Sequence, residues 1–442
     1  MALRNSKINP YAEINNPYVG PRPFQLKIED QKRFFGRDVE AEEIITLIMG
    51  HQLVLIYAQS GVGKTSLFNA KIIPSLKLEK FVVLPMARVS GTSEIQNYNE
   101  LSKIPNYYIF NSLQHLKTQS EQTELNKHSL SSFLEYNFPL SIDQDGNKIH
   151  QVIIFDQFEE IFSIIYSNEW IEQQKDFFYQ ITEVIRKYDH LHVVFIIREE
   201  YLAQLDPFID ILPAEKLRAR FRLEKLQKDA AFYAIKGPLE NVKDSVKTRT
   251  EKEMNIEIEE LINELLKLNI EDPITGKTSV VMGQFVEPIQ LQIVCQRWWQ
   301  EITTEGNTTD KIDFKASDVD TALEEFYESS INEVTKITNI SEIVIRNLFQ
   351  TKFITSSNTK SILHKGALID YIKSVNKSID NKKINILIDT LEKNYLIRPE
   401  WYSGAKWYTL THDRLIQPII KSNYNWNERN VFRKKLKGIF KK

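Results

Sequence analysis

Cysteine occurs once in the 442 residues, so no internal disulfide framework is available and the chain suits a reducing compartment. That thiol, Cys295, lies in the apolar stretch LQIVCQRWW, which reads as a helix, and it is expected to be buried and inert. Long apolar runs are also missing. No stretch reaches the ~18 uninterrupted apolar residues of a membrane span, and MALRNSKINPYAEINNPY lacks the apolar centre of a signal peptide. Charge of one sign is not in excess, with 57 Lys and Arg against 59 Asp and Glu, which excludes a global signature of nucleic-acid coating or membrane binding. Neither an internal repeat nor a long low-complexity tract is found. The expectation is a soluble cytoplasmic protein of two to four domains.

What is present is a change of pattern along the chain. Residues 1–33 are polar and broken by Pro10, Pro17, Pro21 and Pro23, an extended lead-in. Asp38 to Met49 has its apolar residues on one helical face, with Gly50 as the expected stop. Four short apolar runs follow at Leu53–Tyr57, Phe81–Leu84, Val152–Phe155 and Val193–Ile197. Their spacing leaves room for helical crossovers, the pattern of a parallel sheet covered on both faces. RFRLEKL, residues 220–226, offers a fifth strand. From 227 to 335 the runs lengthen into helices, and from 336 to 425 a helix is followed by two short β runs around YSGAK, the order of a winged helix. Residues 426–442 form a basic tail.

Behind the first apolar run stands AQSGVGKTS, residues 58–66. It satisfies G-x-x-x-x-G-K-[ST] except that Ala58 replaces the first glycine. Ser60, Gly61, Val62, Gly63, Lys64, Thr65 and Ser66 are the candidate phosphate cradle. The glycines let backbone N–H groups turn inward, Lys64 reaches the β and γ phosphates, and the Thr65 hydroxyl is placed to ligate Mg²⁺. A second GKT, at Gly276 to Thr278, lacks a small residue five positions earlier and is read as a loop.

Phosphoryl chemistry needs a carboxylate at a strand end, and VIIFDQFEEIF supplies Asp156 as the second Mg²⁺ ligand. Glu159 and Glu160 are candidates to polarise the attacking water, against the alternative of two solvated carboxylates favouring a helix start. Arg198, closing VVFIIR, stands at the carboxyl edge of the sheet and is a candidate γ-phosphate sensor, against the alternative of a surface salt bridge. His190 and His192, with no cysteine or third histidine nearby in sequence, read as structural.

In order, PYVGPRPF with FFGRDVE, AQSGVGKTS, IIFDQFEE, IIREEYL, AIKGP and YTLTHDRL resemble the STAND class of P-loop NTPases, AAA+-related signal-transduction ATPases, over about residues 17–430. The branch it is most similar to is bacterial and often fused to WD repeats. The resemblance implies an α/β P-loop NTPase domain with an AAA+-like parallel sheet over 34–226, a helical domain over 227–335 and a winged-helix domain over 336–425. It further implies ATP and ADP as ligands with Mg²⁺, and assigns Phe35, Gly36 and Arg37 to the adenine and ribose side. Pro238 is assigned to the base, Asp156 with Glu159 and Glu160 to the acidic motif, and Arg198 to the sensor. In THD, His412 is implied to touch the β phosphate of ADP; Thr411 stands where the family has methionine.

What the resemblance implies about function is a molecular switch with slow ATP hydrolysis, closed with ADP and assembling with ATP, in bacterial signalling or antiviral defence. Self-association and a separate sensor or effector protein are the implied partners. One alternative is an AAA+-like DNA-binding factor using its winged helix. Its candidate recognition helix, Ile384 to Lys393, carries Asp389 and Glu392 against Lys393, with Lys382 and Lys383 just before, too nearly neutral to hold phosphates well. The other is a nucleotide-binding scaffold without turnover. The basic tail RNVFRKKLKGIFKK, with Val431, Phe432, Leu436, Ile439 and Phe440 as its apolar set, reads as a solvated helix or the start of a following module rather than a membrane or nucleic-acid contact.

Overall fold

The structure is a computed structural model. It describes residues 16–91, 104–117, 125–163, 168–213, 218–242, 250–271, 278–304, 316–402 and 405–439. The first fifteen residues of the lead-in, most of the second GKT, the centre of the YSGAK turn and the last three residues lie outside the described residues. Side chains of the tail from 431 onward do so too. The chain forms two compact units, one of residues 23–225 and one of 1–22 with 226–442.

In the 23–225 unit the apolar runs become β1 (Leu53–Ala58), β2 (Val82–Val83), β3 (Gln151–Phe155), β4 (Leu191–Arg198) and β5 (Arg220–Arg222). All pair in parallel, in the order β2-β3-β4-β1-β5. The runs read as apolar throughout because both faces are covered: every residue of β3 is buried, as are seven of the eight in β4. One face carries the helix Asn168–Lys187, whose Phe177, Phe178, Ile181 and Val184 join Phe155, Phe158 and Phe195 in a shared core. Phe158 stacks on Phe195 with centroids 4.0 Å apart, so the turn after β3 is clamped onto β4. β2 is shorter than its apolar run suggests, and the helix Asp38–Gly50 runs through Gly50 to end at His51.

The other unit has one continuous apolar core running from Tyr18 and Leu226 to Ile419. The helices Lys228–Glu240, Glu251–Leu265, Pro288–Thr304 and Ala316–Thr338 supply its first part. A hairpin that the helical reading did not anticipate, β6 (Lys267–Glu271) against β7 (Thr278–Met282), interrupts them. The later part holds the helices Lys365–Val375 and Asn381–Lys393, then the hairpin of β9 (Ile397–Tyr402) and β10 (Ala405–Leu410). β8 (Ile362–His364) adds a third strand, in the antiparallel order β8-β10-β9. Among the described residues no helix is long and apolar enough to cross a membrane.

Candidate nucleotide-binding site

β1 delivers the chain to its carboxyl edge at Ala58, and the turn Gln59–Gly63 opens into a helical run from Lys64 to Leu78 whose middle, Phe68–Ile72, widens to π geometry. Gly61 and Gly63 have φ of +84° and +97°, the left-handed region that side chains resist. A Cβ on either would meet no heavy atom within 4 Å, so backbone conformation is what requires glycine, and the loop wall faces open space. Lys64 Nζ donates to the carbonyls of Ala58 (3.0 Å) and Gln59 (3.1 Å), spanning the loop. Burial pushes its ammonium below the ordinary lysine range against the pull of Glu159 and Asp156. These are the features a triphosphate and its Mg²⁺ need: a backbone cradle, a cation inside it, and a hydroxyl beside a carboxylate.

That hydroxyl and carboxylate meet. Thr65 Oγ1 donates to Asp156 Oδ2 at 2.9 Å across 91 positions of sequence. β4 lies between β1 and β3, so the site is built across three strand ends. Asp156 is 2% exposed, its N–H bonded to Ala87 O (2.9 Å). Gln157 takes φ +53°, an unusual backbone for a side-chain-bearing residue. It turns the chain sharply into the short helix Phe158–Phe162.

That turn sends the two glutamates apart. Glu159, 4% exposed, goes to the β4 side, where Arg198 Nε lies 3.0 Å from Oε1 and the Arg198 N–H donates to Oε2 at 3.2 Å. Burial raises the Glu159 carboxyl above its ordinary value, opposed by Arg198 and then Lys64. Glu160 accepts a 2.6 Å hydrogen bond from the Ser90 hydroxyl. The readings of Glu159 as a solvated carboxylate and of Arg198 as half of a surface bridge are therefore corrected: the pair is largely buried because β4 is a central strand.

Ser66 and Asn69 fasten the lead-in to the phosphate-loop helix, Phe24 N–H donating to Ser66 Oγ (3.2 Å) and Asn69 Nδ2 to Phe24 O (3.0 Å). Gly36 has φ +81°. Phe35 beside it is half-buried. Arg37, 4% exposed, bonds Glu40 (2.5 Å) and the Glu224 carbonyl (2.7 Å), so its guanidinium ties the start of the unit to the chain just after β5.

In the other unit Pro238 is buried inside Lys228–Glu240, where it cannot donate to Ala234 O. Tyr18 OH donates to the next carbonyl, Ile235 O, at 2.8 Å. His412 Nδ1 accepts the Arg414 N–H at 3.0 Å. Glu287 Oε1 stands 3.4 Å from His412 Nε2, and the Gln290 amide adjoins the ring.

Sequence spacing missed two neighbours, Arg88 and Ser90, because their run shows no motif. It also missed His150, whose Nδ1 lies 2.7 Å from His192 Nε2, while His192 Nδ1 donates to His51 O (2.9 Å). Histidines absent from the local sequence are thus adjacent in space, yet no cluster of three metal-type ligands exists among the described residues. Cys295 is buried as expected.

Several solved structures are similar over nearly the whole chain. A Walker-type ATPase of Pyrococcus abyssi is 15% identical, covering 90% of this chain and 98% of that one, with a TM-score of 0.42. The ORC2 protein of Aeropyrum pernix in its ADP form is 12% identical over 89% and 95% (TM-score 0.40). The ORC1 protein of the same organism in complex with DNA is 10% identical over 89% and 93% (TM-score 0.44). Likeness at this level says nothing about ligand or partner. No curated protein matches the chain at a significant level. The family described as Novel STAND NTPase 1 matches residues 17–418. With a phosphate loop and an acidic strand end joined as described, the chain belongs to that family of nucleotide-binding NTPases.

Proposed function

We propose that this chain is an ATP/ADP-driven molecular switch with slow, Mg²⁺-dependent ATP hydrolysis, closed with ADP and assembling with ATP in signalling or antiviral defence. The observation that carries the nucleotide chemistry is the Thr65 to Asp156 hydrogen bond, because it joins the hydroxyl and the carboxylate that a P-loop site uses to hold Mg²⁺. Thr65 and Asp156 would hold the Mg²⁺, which neutralises phosphate charge when bound. Lys64 holds the phosphates. Water polarisation is assigned to Glu159, which shares the electrostatic surroundings of Lys64 and Asp156, whereas Glu160 turns to Ser90. Arg198, carrying Glu159, reads the γ phosphate. Division into a P-loop domain over 34–226, a helical domain over 227–335 and a winged helix over 336–425 belongs to the same proposal, as do contacts of Phe35, Gly36, Arg37 and Pro238 with the nucleoside.

His412 is the proposed latch. Nδ1 already accepts from Arg414, so Nε2, which faces Glu287 at 3.4 Å, is the ring atom proposed to reach the phosphate. A hydrogen bond of this charge-assisted kind contributes about 1.5–3 kcal/mol. Moving a two-state protein from 1:99 to 99:1 takes about 5.5 kcal/mol, so the latch needs domain packing and a trigger beside it. The test is to identify the nucleotide that co-purifies, then measure phosphate release and solution mass before and after ATP exchange. Lys64→Ala should abolish tight binding and His412→Ala should weaken ADP retention. Protein that carries no nucleotide and binds none would refute the proposal.

A further inference from the structure

The loop after β2 forms a third wall of the site. β2 itself ends at Val83, but the chain keeps company with β3: Leu84 N–H donates to Val152 O (3.0 Å) and Ala87 N–H to Ile154 O (2.8 Å). Ala87 then pairs in parallel with Phe155. Arg88 therefore leaves the sheet at the same edge as Asp156. Its guanidinium nitrogen lies 3.9 Å from Asp156 Oδ2, the oxygen that accepts the Thr65 hydroxyl. Val89 is fully buried, Ser90 is bonded to Glu160, and Gly91 turns away with φ +94°. The Arg88 backbone is thus fixed on both sides while its side chain keeps 40% exposure.

We infer that Arg88 is a phosphate ligand, a third cation for the γ-phosphoryl group besides Lys64 and Arg198. The inference rests on the reading of this site as one for Mg²⁺ and ATP. The ion pair with Asp156 is loose, at 3.9 Å beyond direct hydrogen bonding. With Thr65 and Asp156 holding a divalent cation, the carboxylate oxygen that faces Arg88 would be engaged and the guanidinium would lose that partner. Arg88 would then turn to a terminal phosphate in the loop, which its planar fork can grip through two N–H groups. A diphosphate lacks this group, so Arg88 discriminates ATP from ADP at the metal side of the loop. Lys64, enclosed by its own loop carbonyls, serves both nucleotides.

The test compares wild type, Arg88→Ala and Arg88→Lys by calorimetric titration with ADP and with a non-hydrolysable ATP analogue, in Mg²⁺ and in EDTA. Loss of one charge-assisted bond should weaken binding of the analogue in Mg²⁺ at least about tenfold. ADP affinity should change by less than about threefold, a shift small on the same scale. Arg88→Lys, which keeps charge without the fork, should recover part of the loss. In EDTA, with Asp156 left to pair with Arg88, the effect should shrink. Equal weakening of both nucleotides, or none of either, overturns the assignment, and melting curves report whether the variant has simply lost its fold. Wild type that binds neither nucleotide overturns the reading of the site itself, which separates that failure from one confined to Arg88.

Discussion

Removing the Thr65 hydroxyl and the Asp156 charge, singly and together, asks whether the contact that defines the site is energetically real. The bond is 2.9 Å long, longer than the 2.5–2.7 Å typical of a hydroxyl on a carboxylate. Asp156 is 2% exposed while Thr65 is half-buried, so water screens one end only. Hydrogen bonds to charged groups contribute about 1.5–3 kcal/mol, and the length and partial screening place this one at the low end, about 1.5 kcal/mol. In a unit of this size that corresponds to a melting shift of roughly 3–6 °C. The assay is a double-mutant cycle with Thr65→Val, Asp156→Asn and the double variant, melted without nucleotide in EDTA. The expected coupling energy is about 1.5 kcal/mol. Single effects that add to within about 0.5 kcal/mol would mean the two groups do not interact, and the argument from their meeting would fall.

Other outcomes follow from the same physics. Because burial raises the Glu159 carboxyl, the folded protein keeps that proton to higher pH than the unfolded chain, so stability from this group is present below the ordinary value of 4.5 and is lost as pH rises through the folded value. Glu159→Gln, which still offers Arg198 an acceptor, should therefore gain on wild type in urea unfolding as pH rises from there; a pH-independent difference refutes the burial argument. Arg346, 2% exposed, bonds Glu328 (2.6 Å), Glu342 (2.9 Å), Ser422 (2.8 Å) and Asn423 (3.0 Å). Breaking a buried ion pair costs about 3–5 kcal/mol. Both carboxylates keep about a third of their exposure (34% and 28%), so Arg346→Met should cost about 3 kcal/mol after screening, and a melting point unchanged or raised would contradict it. Tyr18→Phe, which leaves Ile235 O without its buried donor, should cost about 1 kcal/mol by denaturant titration; no change would mean that Tyr18 holds the segment by packing alone.

How much of the site was legible depended on whether its parts are close in sequence. Gly61, Gly63, Lys64 and Thr65 sit in one loop, where left-handed glycines and a helix start follow from local chemistry. Asp156 was legible because it ends an apolar run. Glu159 and Glu160 were not separable, since their different surroundings come from the turn at Gln157, and a positive φ at glutamine has no sequence signal. Arg88 and Ser90 carry no spacing rule at all; they enter the site because the chain after β2 follows β3. The hairpin of β6 and β7 was missed because short apolar runs beside helices do not announce their period.

The sequence alone determined that there is a phosphate loop behind a buried strand, that the first part is α/β and that helices dominate later, because local backbone preference and apolar periodicity act over a few residues. Tertiary structure decided the strand order that sets β4 between the loop strand and the acidic strand. With it came the pairing of Glu159 with Arg198, the reach of Thr65 to Asp156 and the placement of Arg88. These depend on which buried runs pair, a choice made by packing across the whole sheet and by the clamp of Phe158 on Phe195.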